Sequence, residues 1–94
     1  MLDREAALRA AAAYLAEESR DWPADHAART IPEQAFADGS GLIVPYNSVV
    51  FLESGDRNYA LAGGGPILVD TVTGECRELD LDETIAYRRR GFAV

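Results

Sequence analysis

Hydrophobic and polar positions change period along the chain. Near the start, Leu8, Ala11, Ala12 and Leu15 recur at helical spacing and predict one apolar stripe on a helix. Asp3 stands where an N-cap would, and Glu5 suits the positive end of the helix. Glu5 and Arg9 form an i,i+4 pair in the favourable order. The stripe is narrow and rich in alanine, which suits close packing on a sheet. Pro23 disfavours helix at the residue before it, so the helix should fade between Glu18 and Trp22.

The helical period then gives way to short apolar runs bounded by turn residues. "ARTIPEQAF", Ala28 to Phe36, carries β-branched and aromatic residues around Pro32, so it predicts an edge strand or a strand with a break. Asp38 to Gly41 is a turn. Leu42 to Tyr46 reads as a strand interrupted by Pro45, and Asn47 and Ser48 as a turn or bulge. Val49 to Leu52 favours strand, and Gly55 can take positive φ in the loop that follows. Tyr46, Phe51 and Tyr59 read either as a surface patch or as core aromatics, and at strand positions aromatics are more often core.

Pro66 fits the first position of a strand, and Ile67, Leu68 and Val69 form a continuous apolar run expected near the sheet centre. Asp70 to Gly74 is a hairpin turn, with Gly74 as its left-handed residue, and Glu75 to Leu79 is the return strand. Asp80 and Glu83 have capping-box spacing and open a short helix through Ile85 and Tyr87. The expected architecture over residues 1–94 is a single α+β domain. An N-terminal helix packs on an antiparallel sheet of about four strands, and a short C-terminal helix closes it. Leu8, Leu15, Ile67 and Val69 should be buried.

Charge narrows the partners. The formal net charge is -7, with 16 acidic residues against 9 basic ones, all of them arginine. Glu75, Glu78, Asp80, Asp82 and Glu83 crowd one segment, followed by Arg88, Arg89 and Arg90. Nucleic acid is not expected as a partner, because phosphate neutralisation needs a positive surface. The N-terminal segment carries acids and is too interrupted to span a membrane, so neither a signal peptide nor a membrane partner is expected. The single cysteine, Cys76, rules out an internal disulfide and fits a reducing, cytoplasmic setting.

Catalytic constellations are not evident. "AGGGP", Ala62 to Pro66, lacks the Lys-Ser/Thr of a phosphate loop and precedes a strand where a cradle should open a helix. It reads as a bend, and no nucleotide is expected on Gly63 to Gly65. His26 adjoins Asp25, and Ser40, Ser48 and Ser54 lie downstream, but no nucleophile elbow is present and His26 reads as a surface residue. Cys76 lies just past a turn and reads as a small buried thiol. The carboxylates lack metal-ligand spacing. No catalytic, cofactor-binding or metal-binding residue is therefore assigned, and no cofactor is expected.

Tyr46 to Glu75, "YNSVVFLESGDRNYALAGGGPILVDTVTGE", resembles the central motif of the immunity protein 35 family, which includes the YrhB-like proteins. Gly41, Tyr46 and Ser48 fit its G-W-x-x-x-Y-x-S. Phe51, Leu52, Glu53, Gly55 and Asp56 fit F/Y-L-E-T-G-D. Leu61, Ala62, Gly63, Gly65, Pro66, Ile67, Leu68, Val69 and Asp70 fit L-A-G-N-G-P-I-L-V-D, and Thr73, Gly74 and Glu75 its T-G-E turn. Leu42 replaces the family's Trp, Gly64 its Asn, and "ELDLDETIAY" lacks the usual Gly-Thr/Ser-x-x-Pro approach to the last helix. The resemblance implies a non-catalytic immunity protein that neutralises a cognate bacterial toxin by binding. The alternative is a YrhB-like stress chaperone that binds unfolded proteins. An acidic surface fits a basic, nuclease-like toxin. The acidic segment Glu75, Glu78, Asp80, Asp82 and Glu83 is the expected docking edge.

Overall fold

Asp3 opens the first helix by accepting the Ala6 N–H at 2.8 Å, and α1 runs over Arg4–Glu18. This is a computed structural model, and it describes residues 1–61 and 65–92. The face of α1 that meets the sheet is Ala7, Ala11 and Leu15, with Leu8 half-buried beside it. Ala12, expected on the buried stripe, is exposed. The i,i+4 line from Ala7 through Ala11 to Leu15 faces the core, and Ala12 lies about 100° around the helix from Ala11. Two alanines on this line let the helix backbone come close to the sheet.

Four strands form the main sheet in the order β2 (Phe36–Asp38), β3 (Gly41–Val44), β5 (Ile67–Asp70) and β6 (Cys76–Glu78), all antiparallel. The apolar run Ile67–Val69 is thus an inner strand, as its pattern predicts. Residues paired across strands point to the same face. Leu42 and Val69 therefore share one face with Val44, Ile67, Cys76 and Glu78, and this face meets α1. Ile43, Leu68 and Arg77 share the opposite face with Phe36. There α3 (Leu81–Arg89) brings Tyr87 edge-on to Phe36 at 5.4 Å. Ile67 and Val69 are fully buried, each contributing about 1.5–3 kcal/mol.

A second, two-stranded sheet pairs β1 (Ala28–Thr30) with β4 (Tyr46–Ser48). Pro32 breaks the segment after β1 into a single 3-10 turn, Pro32–Gln34, before β2 resumes. Pro45 lies between β3 and β4. It has no N–H to give, but its carbonyl accepts from Ile31 N at 2.8 Å, so the chain leaves one sheet and enters the other there.

The strand expected over Val49–Leu52 is instead the helix α2, Val49–Ser54. Ser48 decides this. Its Oγ accepts the Phe51 N–H at 3.0 Å and donates to the Tyr59 carbonyl at 2.5 Å, while the buried residue itself ends β4. A good N-cap outweighs the modest strand preference of a four-residue run. Gly55 ends the helix at φ 73°. Asn47, expected in a turn or bulge, is a strand residue whose Oδ1 accepts from Ser48 N and Leu61 N, both at 2.8 Å. Phe51 therefore sits on a helix, and Tyr59 is exposed on a 3-10 turn rather than in the core.

The Asp70–Gly74 turn closes as expected. Asp70 Oδ1 accepts from Val72 N and Thr73 N, and Gly74 donates to Asp70 O at 2.7 Å with φ at 82°. A left-handed backbone there favours glycine. The bend expected at Gly63 to Gly65 falls partly outside the described residues, which include only Gly65. That glycine permits a close approach: an added Cβ would overlap the Leu79 carbonyl oxygen and lie 2.9 Å from Thr84 Oγ1.

Candidate partner-binding site

The acidic segment spans the end of the hairpin, β6 and the first turn of α3, and these elements give its five carboxylates different surroundings. Glu75 completes the hairpin through its backbone, accepting from Asp70 N at 2.8 Å and donating to Thr73 Oγ1 at 3.2 Å. Its side chain is exposed and has no hydrogen-bond partner among the described residues. Asp80 caps α3, with Oδ1 accepting from Glu83 N at 2.8 Å. Glu83 Oε1 returns the bond to Asp80 N at 3.1 Å and completes the capping box. Asp82 is exposed in the same first turn, also without a side-chain partner among the described residues.

Arg77 changes the character of this edge. Strand alternation turns it away from Cys76 and Glu78, and its guanidinium forks onto both Glu83 oxygens at 2.8 Å. The fork, with the capping bond from Asp80 N second to it, holds the Glu83 carboxyl down at about 2. The same pairing raises the Arg77 pKa. Of the five acids read from sequence as one edge, Glu75 and Asp82 keep free carboxylates, Asp80 and Glu83 are held in the cap, and Glu78 faces the other way. The period-2 reading of Cys76-Arg77-Glu78 was the available signal for that separation.

Glu78 lies on the α1 side of β6, opposite Ile67. The Tyr46 hydroxyl donates to its Oε1 at 3.1 Å. Trp22, just past α1, lies against Tyr46 with ring centroids 6.4 Å apart and planes at 40°. Trp22, Tyr46 and Glu78, with Pro23, His26 and Leu61, line a cleft of about 440 Å³. Burial, then the charge of Glu78, pushes the Tyr46 hydroxyl well above its usual range, so it remains a neutral donor. Tyr14, on α1, is raised by burial and then by Glu18 and Glu78. Among the described residues no ion pair reaches Glu78. Sequence reasoning singled out neither Trp22 nor this cleft.

One comparison decides the family. The family model described as immunity protein 35 matches residues 5–88. The chain belongs to the immunity protein 35 family. Searches of the curated proteins and of the solved structures each found no match. The matched span of this immunity protein 35 chain runs from α1 to α3, so it includes both the acidic segment and the cleft.

The residues that carry the motif of the immunity protein 35 family serve mainly as caps, turns and core. Ser48 caps α2, Asp56 Oδ1 accepts from Asn58 N at 3.0 Å, and Asp70 and Gly74 close the hairpin. Cys76, expected to be buried, is half-buried, because β6 is an edge strand; partial burial raises its thiol pKa. His26 is exposed at the mouth of the cleft, and no hydrogen bond joins it to Asp25 or to a serine. Among the described residues there is no cluster of three His, Cys, Asp or Glu side chains able to hold a metal. No helix among them is long and apolar enough to cross a membrane. The arrangement offers recognition chemistry: free carboxylates on one edge, and an aromatic cleft with one carboxylate.

Proposed function

We propose that this protein neutralises a cognate bacterial toxin by binding it directly, with no catalytic step of its own, and that it does so in the cytoplasm. The observation that carries the reading is membership of the immunity protein 35 family across residues 5–88, in a chain with net charge -7. A basic, nuclease-like toxin is the complementary partner, since an acidic surface can occupy a groove built for phosphate. The docking edge follows the segment that carries Glu75, Glu78, Asp80, Asp82 and Glu83, with Glu75 and Asp82 making the direct charge contacts and Glu78 turned to the α1 side. The YrhB-like chaperone alternative needs a continuous apolar surface. The exposed large apolar side chains among the described residues are four, Met1, Tyr59, Val72 and Leu81; Met1 and Val72 are on neighbouring segments, since Leu2 N–H donates to Thr71 O at 2.7 Å.

The test is protection. The toxin encoded by a neighbouring reading frame is expressed in bacteria with and without this protein. Survival with co-expression, and co-purification of the two chains, is the expected outcome. Cell death unaffected by full expression of the folded protein contradicts the reading.

A further inference from the structure

The cleft beside β6 combines three features. Its walls include the rings of Trp22 and Tyr46, 6.4 Å apart and tilted rather than stacked. Glu78 supplies a half-buried carboxylate, and among the described residues only its Oε1 is engaged, by the Tyr46 hydroxyl. That bond holds the carboxylate and the Tyr46 ring in fixed relation. The Glu18 and Glu78 carboxylates both act on Tyr14 and Tyr46, and among the described residues no ion pair reaches Glu78. Arg77, next in sequence, is turned to the other face and held by Glu83.

Aromatic faces beside an unpaired carboxylate favour a cation that can stack and fork at once. A guanidinium meets both demands: it is planar, less strongly hydrated than an ammonium and able to present two N–H groups to a carboxylate. The volume of about 440 Å³ admits a whole side chain. We propose that this cleft is the socket for an arginine side chain presented by the toxin, packed on the open faces of the Trp22 and Tyr46 rings with its guanidinium on Glu78. The inference deepens the binding role proposed above and rests on it for the source of the arginine. It also assigns Glu78 a role separate from the charge edge of Glu75 and Asp82.

Trp22 is the single tryptophan, so its fluorescence reports on the cleft alone. The intact protein is titrated with N-acetylarginine amide, with the uncharged isostere N-acetylcitrulline amide and with N-acetylleucine amide. The expected result is a saturable change with the arginine compound, with a dissociation constant on the order of millimolar, as suits one side chain. Binding of the citrulline and leucine compounds should be about tenfold weaker or less. Glu78→Gln keeps an oxygen for the Tyr46 hydroxyl and should weaken arginine binding by a similar factor. Glu53→Gln, a charge removal at an exposed position of α2, should leave it unchanged. Equal binding of arginine and citrulline, no saturation with arginine, or an equal loss in Glu53→Gln overturns the socket. The titration contains no toxin, so its failure and a failure of protection are distinguishable. Protection without arginine binding removes the socket alone; arginine binding without protection removes the immunity reading alone.

Discussion

Gly65→Ala adds a single methyl group where the chain passes closest to the approach to α3. The new Cβ would overlap the Leu79 carbonyl oxygen and sit 2.9 Å from Thr84 Oγ1. Neither neighbour can move freely. Leu79 is 3% exposed and its N–H donates to Pro66 O at 2.8 Å, so the two segments are tied together beside the glycine. Thr84 is 4% exposed, and its hydroxyl donates to Asp80 O at 2.9 Å, inside the capped turn of α3. Overpacking of this kind costs about 1–3 kcal/mol, and weakening two hydrogen bonds costs about 1 kcal/mol each. Alanine returns about 0.4–1 kcal/mol by restricting the unfolded chain. The net loss is about 2–4.5 kcal/mol, which for a domain of this size lowers Tm by roughly 10–35 °C. A domain with about 5–14 kcal/mol of stability remains folded at 25 °C. Thermal melts followed by Trp22 fluorescence and far-UV circular dichroism measure the loss. A variant melting within about 2 °C of the parent refutes the close-approach account of Gly65.

Ser48→Ala removes the α2 cap and the donor to Tyr59 O together, and should cost about 2 kcal/mol or more in urea denaturation; an unchanged midpoint contradicts the capping account of α2. Gly74→Val places a β-branched residue at φ 82° and should cost about 1–3 kcal/mol, whereas an unaltered melt denies strain at that turn. The Glu83 carboxyl is held at about 2, below its unfolded value, so its stabilisation is complete above roughly pH 4.5 and is lost as pH falls towards 2. Urea midpoints at pH 5 and pH 3 should therefore fall less in Glu83→Gln than in the parent, and parallel falls would disprove the linkage.

What could be read from sequence was mostly local. The Asp3 cap, the Asp80–Glu83 box and the Asp70–Gly74 turn depend on residues within a few positions of each other, and all three form. The apolar run Ile67–Val69 likewise marked an inner strand. Failures came where a distant contact decided the outcome. Val49–Leu52 has strand propensity, but Ser48 caps a helix there while its hydroxyl is fixed by Tyr59, 11 residues away. The cleft was not legible at all, because Trp22, Tyr46 and Glu78 come from three segments, and the Tyr46–Glu78 bond spans 32 residues. The acidic segment looked uniform in sequence, yet strand alternation and the Arg77 fork divide it, leaving Glu75 and Asp82 with free carboxylates.

The central claim is binding of a toxin through charge, and the direct measurement is affinity for the purified toxin at two salt concentrations. The parent protein and the double variant Glu75→Arg/Asp82→Arg are compared, since among the described residues neither side chain has a hydrogen-bond partner whose loss would disturb the fold. Opposite charges mainly speed association, so the parent should bind more weakly at high salt through a slower on-rate. The double variant should bind the toxin more weakly than the parent at low salt and lose much of that salt dependence, with its Tm close to the parent's. An affinity unchanged by the double reversal, or by salt in the parent, contradicts the acidic docking edge. No binding by the parent at either salt contradicts the immunity function itself.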